Sequence, residues 1–316
     1  MKKQLRTGSA VLILLLGAAL MWTGMGKAAV QTADATGALA QREGVTVTVG
    51  APEGTAHVSY TRRQLLQGKL LLISSLHPLP ADYPAPSVRG VRQVVGAYLP
   101  AQEQTALARE VIQALCDMQF DRSLTDVTLL KGAVSRAQQD ALRLEAFHRY
   151  CCVTSLEEAA RLSRLSTPAG GESEHQTGCC VDLILQGNTQ MGKQDVLEWN
   201  ETGLWLRDNM WRYGFIRRGS PEAMDEEHVC DSLHIRYVGR VHAAAMRAGG
   251  WTLEEYLGVL QSCGAITVCE QGQRDAYVYW LPYEGEGGMQ ALLPSRFGDA
   301  SLTNTGGAVF TCMAQP

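Results

Sequence analysis

The stretch that decides the fold is Ser173-Glu174-His175-Gln176-Thr177-Gly178-Cys179-Cys180-Val181-Asp182, and about fifty residues later the chain continues it with Asp231-Ser232-Leu233-His234-Ile235-Arg236-Tyr237. Two histidines and an aspartate supply three protein ligands to a zinc ion and leave a fourth position open, as a catalytic zinc site requires. His175, Asp182 and His234 are therefore candidate metal ligands. Asp231 stands three residues before His234, where its carboxylate is placed to act as a general base.

The spacing of these residues also predicts the local backbone. In a helix, His175 and Asp182 would lie two turns apart, about 10.5 Å, which is too far to share one ion. Gly178 favours a turn instead, and the apolar run from Cys179 to Leu185 predicts a largely buried strand. His234 lies in a second β-prone run, Leu233 to Val238. We therefore expect two neighbouring strands to present the three ligands.

The two ends of the chain differ from its middle. Residues 1–29 carry four basic and no acidic side chains around a mostly apolar run, Ala10 to Met25, which indicates a signal peptide or a membrane anchor. Residues 30–44 show no periodicity, so residues 30–64 are expected to be a linker with short strands. Residues 264–316 contain two short β-prone runs around a glycine-rich turn and predict a small C-terminal β-element.

Charge and cysteine content bear on whether the chain binds nucleic acid and on whether its cysteines bind metal. The formal net charge of the 316-residue chain is −4 and no basic block is present, so nucleic acid is not an expected partner. The nine cysteines show no paired spacing. Cys179 and Cys180 are interpreted as small buried hydrophobic residues rather than zinc ligands. Cys230 is left open, either near the metal or paired with Cys179 or Cys180.

Helical periodicity covers much of the middle of the chain. Residues 101–120 and 136–152 place apolar side chains on one face. Capping boxes at Ser155 to Glu158 and at Thr252 to Glu255 predict the starts of two further helices, the second running from Leu253 to Cys263. Together with the expected strands, this pattern predicts an α+β fold, in which a small antiparallel sheet carries the zinc site and helices pack against it.

The ordered motifs also resemble a known family. Three motifs, in this order, are similar to those of the VanY-like zinc D-alanyl-D-alanine carboxypeptidases. They are Ser173 to Gly178 with the following Val181-Asp182, Tyr213-Gly214-Phe215-Ile216, and the string from His234 to Gly239. The resemblance covers roughly residues 65–262, so residues 65–263 are identified as a metallopeptidase domain. It implies that His175, Asp182 and His234 hold zinc, that Asp231 is the base, and that the substrate is a peptidoglycan stem peptide. By the same resemblance, Ser173 with Gln139 or Arg136 helps to position that substrate.

Three positions depart from the family pattern. Val134 stands where the family has the arginine that binds the terminal carboxylate of the substrate, and Arg136 lies two residues further on. Asp231 replaces a glutamate, which withdraws the carboxylate by roughly one ångström. Leu233 replaces a tryptophan. The departures leave two hypotheses, a carboxypeptidase with reduced or altered activity and a catalytically impaired wall-binding or scaffold protein that retains the metal site. Either is expected outside the cytoplasm, secreted or anchored at the cell wall by its N-terminal segment, with its oligomeric state open.

Overall fold

A computed structural model of the protein describes residues 38–91, 101, 105–186, 196–198, 200–219, 233–296 and 298–315. Within these ranges the α-helices are α1 Arg62–Leu66, α2 Arg109–Asp121, α3 Arg136–Cys151, α4 Leu156–Ser166, α5 Glu201–Asn209, α6 Arg240–Gly249 and α7 Leu253–Cys263. The strands are β1 Ala38–Arg42, β2 Val45–Val49, β3 Ala56–Tyr60, β4 Val88–Gly90, β5 Ala106–Ala108, β6 Val127–Lys131, β7 Cys180–Leu185, β8 Phe215–Arg217, β9 Leu233–Tyr237, β10 Ala265–Glu270, β11 Ala276–Pro282, β12 Met289–Leu293, β13 Gly298–Leu302 and β14 Gly307–Met313. Helices and antiparallel sheets are thus mixed, and the predicted α+β class is confirmed.

One sheet contains Asp182 and His234, two of the three predicted ligands. It has four antiparallel strands in the order β6-β7-β9-β8. The two predicted strands are β7 and β9, which are direct neighbours and carry Asp182 and His234 as expected. His175, in contrast, lies in a 3-10 helix before β7 and not in a strand. The register of β7 and β9 pairs Asp182 with His234 and Leu183 with Leu233.

One face of this sheet packs into a hydrophobic core, and the other carries candidate ligands. Leu183, Leu185, Leu233 and Ile235 are all at most 1% exposed and pack with the apolar face of α2 in one core. Burial of each such side chain stabilises the fold by about 1.5–3 kcal/mol. Side chains alternate between the faces of a strand, so Asp182 and His234 lie on the opposite face. The core therefore fixes the strands that carry the candidate ligands.

Strand β6 contains an irregularity next to these ligands. Leu129 pairs with Leu183, whereas Lys131 pairs with Asp182, so Leu130 is an extra residue that forms a β-bulge. Leu129 lies in the core. Without the bulge, Lys131 would share the face of Leu129. With it, Lys131 joins the face that carries Asp182.

The two ends of the described chain meet in a second, six-stranded sheet of order β1-β2-β10-β11-β14-β13. Here the structure differs from the expected linker, because Ala38–Arg42 is a strand that pairs with β2. The turn between them is Glu43-Gly44, with φ of 52° and 79°, which suits a two-residue hairpin. Strand β2 pairs in turn with β10, so residues 264–316 are joined to this N-terminal hairpin rather than forming a separate element. Residues 30–37 lie outside the described residues.

The helices follow the predicted periodicity, with shifted ends. The helix expected over residues 101–120 is α2, which begins at Arg109 because β5 takes up the preceding residues. The side chain of Ser155 accepts a hydrogen bond from the backbone N–H of Glu158 at the start of α4. Thr252 and Glu255 form the predicted capping box of α7. None of the helices in the described ranges is both long and apolar enough to cross a membrane. The predicted N-terminal signal or anchor, residues 1–29, lies outside those ranges.

Candidate metal centre

The structure brings the three predicted ligands together from three short elements. His175 lies in the 3-10 helix Glu174–Thr177, Asp182 in β7 and His234 in β9. Gly178 ends the 3-10 helix with φ of 72°, a left-handed conformation that glycine adopts without strain, and so turns the chain into β7. Asp182 Oδ1 lies 2.6 Å from His234 Nδ1 and 3.2 Å from His175 Nε2. One ligand atom from each residue fits within 4.8 Å of the other two.

Hydrogen bonds at the far side of each ring orient the imidazoles. His175 Nδ1 lies 2.8 Å from the carbonyl oxygen of Gly132, which can only accept, so this nitrogen carries the proton and Nε2 presents its lone pair to Asp182. His234 Nε2 lies 3.4 Å from Glu174 Oε2, which leaves His234 Nδ1 toward Asp182. Metal-binding histidines are commonly held in this way by a carbonyl or a carboxylate. Two imidazole nitrogens and one carboxylate oxygen form a donor set that fits zinc.

Burial and charge set the ionisation of the acids and of His175. Burial alone would raise the pKa of Asp182, but the adjacent rings of His175 and His234 hold it well below its usual range. Burial also lowers the pKa of His175 and keeps that ring neutral, against the effect of Asp182. For Glu174, Arg236 together with His234 and Arg218 outweighs the effect of burial and lowers the pKa strongly. Both acids are therefore carboxylates at neutral pH.

A buried ion-pair network lies behind His234. Glu174, 9% exposed, accepts from Arg236 Nη1 and from Arg218 Nε at 3.1 Å. Arg236 is fully buried, and its Nη2 donates to the carbonyl oxygens of Lys69 at 2.9 Å and Leu71 at 2.6 Å. Arg218 also donates to both carboxylate oxygens of Glu254. Glu174 carried no predicted role, although a charged residue inside an apolar run, such as Arg236 between Ile235 and Val238, is the signal of a buried ion pair.

Comparison with known proteins agrees with this geometry. The model of the VanY family, described as D-alanyl-D-alanine carboxypeptidase, matches residues 92–240. A D-alanyl-D-alanine carboxypeptidase of Enterococcus faecium is 26% identical over 235 residues, which cover 73% of this chain and 71% of that protein. This chain is VanY-like over residues 92–240. All three candidate ligands lie within the matched residues.

Two further relatives extend the comparison. A D-alanyl-D-alanine carboxypeptidase of Enterococcus faecalis strain V583 is 40% identical to this VanY-like chain over 88 residues, 28% of this chain and 30% of that protein. The crystal structure of the vancomycin-resistance D,D-dipeptidase VanXYg, in complex with a D-Ala-D-Ala phosphinate analog, matches with a TM-score of 0.62 and 20% identity. It covers 82% of this chain and 99% of that chain. The similarity to the VanXYg structure is a similarity of fold.

The residues predicted to position the substrate lie beside the loop that leads to His175. Ser173 is 5% exposed and immediately precedes the 3-10 helix. Gln139 is fully buried, and its Nε2 donates to the carbonyl oxygen of Pro168 at 2.8 Å. Arg136 Nη1 donates to the carbonyl oxygen of Gly170 at 2.8 Å. The contacts of Gln139 and Arg136 thus hold this loop, and the substrate role of all three residues stays a prediction.

The structure describes only some of the remaining predicted residues. Asp231, the predicted base, and Cys230 lie outside the described residues. Cys179 and Cys180 are buried free thiols, and burial raises the pKa of both. Cys180 Sγ lies 3.9 Å from Glu174 Oε2, so Glu174, Cys180 and His234 form a second group of potential ligand atoms. The complete burial of Cys180 and the near-complete burial of Cys179 agree with the prediction that these cysteines are small buried hydrophobic residues.

Proposed function

We propose that this VanY-like protein is a zinc-dependent D-alanyl-D-alanine carboxypeptidase that removes the terminal D-alanine from peptidoglycan stem peptides. The observation that carries the proposal is the convergence of His175 Nε2, Asp182 Oδ1 and His234 Nδ1 on one face of the small sheet. The name of the Enterococcus faecium relative, which this chain matches over 71% of its length, supports the choice of substrate.

Each residue of the site has a role in this reaction. His175, Asp182 and His234 would hold the zinc, whose chemistry when bound is to polarise the scissile carbonyl and to acidify water. Asp231 is proposed to take the proton from the attacking water and to deliver it to the leaving amine. Glu174 lies at Nε2 of His234 and Asp182 at Nδ1, so the two carboxylates fix the orientation of this ring.

The alternative is a wall-binding or scaffold protein that retains zinc but has lost most activity. One observation favours it, namely that Val134 cannot form the ion pair of an arginine with a substrate carboxylate. Arg236 does not compensate for this, because it is buried and its guanidinium is engaged by Glu174 and two carbonyl oxygens. Under either function, we propose a location outside the cytoplasm, since the substrate or partner is the cell wall.

Release of D-alanine tests the proposal directly. The purified full-length chain, in mild detergent with one equivalent of zinc, is incubated with a pentapeptide ending in D-Ala-D-Ala and with a matched peptide ending in D-Ala-L-Ala. We expect release from the first peptide alone, loss of release in His234→Ala, and loss by at least about 100-fold in Asp231→Asn, because a misplaced or missing base costs this much. A zinc-loaded chain without release would favour the binding protein.

A further inference from the structure

The bulge in β6 places a lysine beside the candidate metal centre. Directly paired residues of antiparallel strands project from the same face, about 5 Å apart at Cβ. The register pairs Lys131 with Asp182 and Asp182 with His234, so these three residues form a row across β6, β7 and β9. Bulges commonly redirect a side chain next to an active site, and here the bulge takes Lys131 from the core face to the ligand face.

The surroundings of Lys131 confirm its proximity to the ligands. The next residue, Gly132, accepts the hydrogen bond from His175 Nδ1 through its carbonyl oxygen. The pKa of His175 is lowered chiefly by burial, and the charge of Lys131 contributes in the same direction. The Lys131 residue is half-buried rather than enclosed in the core. A positive charge therefore lies beside the candidate ligands, on the face of the sheet that carries Asp182.

A carboxypeptidase needs such a charge, because it must distinguish the free carboxylate at the end of a chain from an internal peptide bond. Position in the row with Asp182, and not the lack of a partner, distinguishes Lys131 from three arginines near the site. Arg236 and Arg218 both donate to Glu174. Arg136 donates to the carbonyl oxygens of Gly170 and Leu79. Val134 brings no charge at all.

We infer that Lys131 binds the terminal carboxylate of the peptide substrate and thereby confers the preference for a free C-terminus. The inference rests on the proposed carboxypeptidase function. An ammonium group on a flexible stem binds a carboxylate as a point charge, without the two-pronged geometry of arginine. Lys131 is accordingly a residue for recognition of the substrate, and its removal leaves the three candidate ligands in place.

A pair of peptides separates recognition of the carboxylate from the reaction itself. Both end in D-Ala-D-Ala, one with a free C-terminal carboxylate and the other with a C-terminal amide, and kcat/KM is measured for each with the zinc-loaded full-length chain. We expect the unmodified chain to prefer the free acid. Lys131→Met should lower kcat/KM for the free acid by about 10- to 100-fold, as the loss of a charged hydrogen bond implies, and should leave the amide nearly unchanged. Lys131→Arg should retain most of the preference.

Zinc content and melting temperature provide readouts that do not depend on turnover. Both should be the same in Lys131→Met as in the parent and as in the control Arg149→Met, which removes an exposed charge at the end of α3. A Lys131→Met chain that keeps the preference for the free acid overturns the inference. So does a loss of zinc in both Lys131→Met and Lys131→Arg, because it would show that Lys131 supports the ligands. If the parent chain binds zinc but releases nothing, the proposed function itself fails.

Discussion

At the scale of single residues, the carboxylate of Glu174 decides how His234 is presented. It lies 3.4 Å from His234 Nε2 and shares its charge with Arg236 and Arg218. Glu174→Gln should weaken zinc binding by about 10- to 100-fold, because residues that orient a ligand from behind typically contribute this much to affinity. Competition with a chromophoric chelator measures the affinity.

The matched control for that change is Glu254→Gln. Glu254 binds the same Arg218 from its other side but is half exposed and does not contact His234. Exposed ion pairs contribute little, so zinc affinity should remain within about two-fold of the parent. If both substitutions weakened zinc binding equally, the contact between Glu174 and His234 would not be the cause.

The buried arginine of the same network makes a prediction about stability. Arg236→Met leaves Glu174 buried with only Arg218 as a charged donor, and breaking a buried pair costs about 3–5 kcal/mol. Urea unfolding should show this loss in the free energy of unfolding. The double variant Glu174→Gln with Arg236→Met should be more stable than the sum of the two single losses implies. Each single change leaves the other partner buried without its opposite charge, whereas the double change removes both. Additive losses would contradict the coupling.

At the scale of elements, Gly178 joins the loop of His175 to strand β7. Its φ of 72° is strained for other residues, and a Cβ there would lie 2.8 Å from Val88 Cγ1. Gly178→Ala should therefore destabilise the protein by about 1–3 kcal/mol. Gly258→Ala, in the exposed middle of α7 with open space around its Cβ, should instead stabilise it by about 0.5–1 kcal/mol. Thermal unfolding of both variants checks the opposite signs.

Elements with local signals were predictable from the sequence. Strand β7 follows from a largely apolar run, β9 from a β-prone run, and α7 from a capping box at Thr252. The bulge at Leu130 was not predictable, because the residue types of β6 fit a regular strand equally well and the register depends on β7. The joint position of Lys131, Asp182 and His234 therefore required the three-dimensional structure, whereas the ligand types did not.

At the scale of the whole molecule, long-range pairing limited the prediction. Strand β2 pairs with β10, more than two hundred residues away, and nothing in the local composition of residues 38–49 specifies that partner. The prediction of a linker over residues 30–44 therefore misses strand β1. The alternating residues Val45 and Val47 of β2 are fully buried in the core shared with α6 and α7. The segments beyond the matched residues 92–240 thus complete a second core rather than extending the chain loosely.

His242 connects the layers of this second core and should make its stability depend on pH. The ring lies on α6, where its Nδ1 is 2.8 Å from Tyr256 Oη of α7 and its Nε2 is 3.1 Å from Thr311 Oγ1 of β14. Burial lowers the pKa of His242 from 6.5 to about 4, with Asp299 opposing and Lys69 reinforcing the shift. Between pH 6.5 and pH 4, His242 thus binds a proton in the unfolded chain but not in the folded chain.

The free energy of unfolding must then fall as the pH decreases through this window, and it should be insensitive to His242 above it. The shift corresponds to a loss of about 2 kcal/mol between pH 7.5 and pH 5. His242→Gln should be less stable than the parent at pH 7.5, because the contacts with Tyr256 and Thr311 are disturbed, but its stability should fall by about 2 kcal/mol less over the same interval. Urea unfolding of both chains at the two pH values measures the difference, in which the titration of all shared groups cancels. Parallel losses in the two chains would show that His242 does not link the second core to pH.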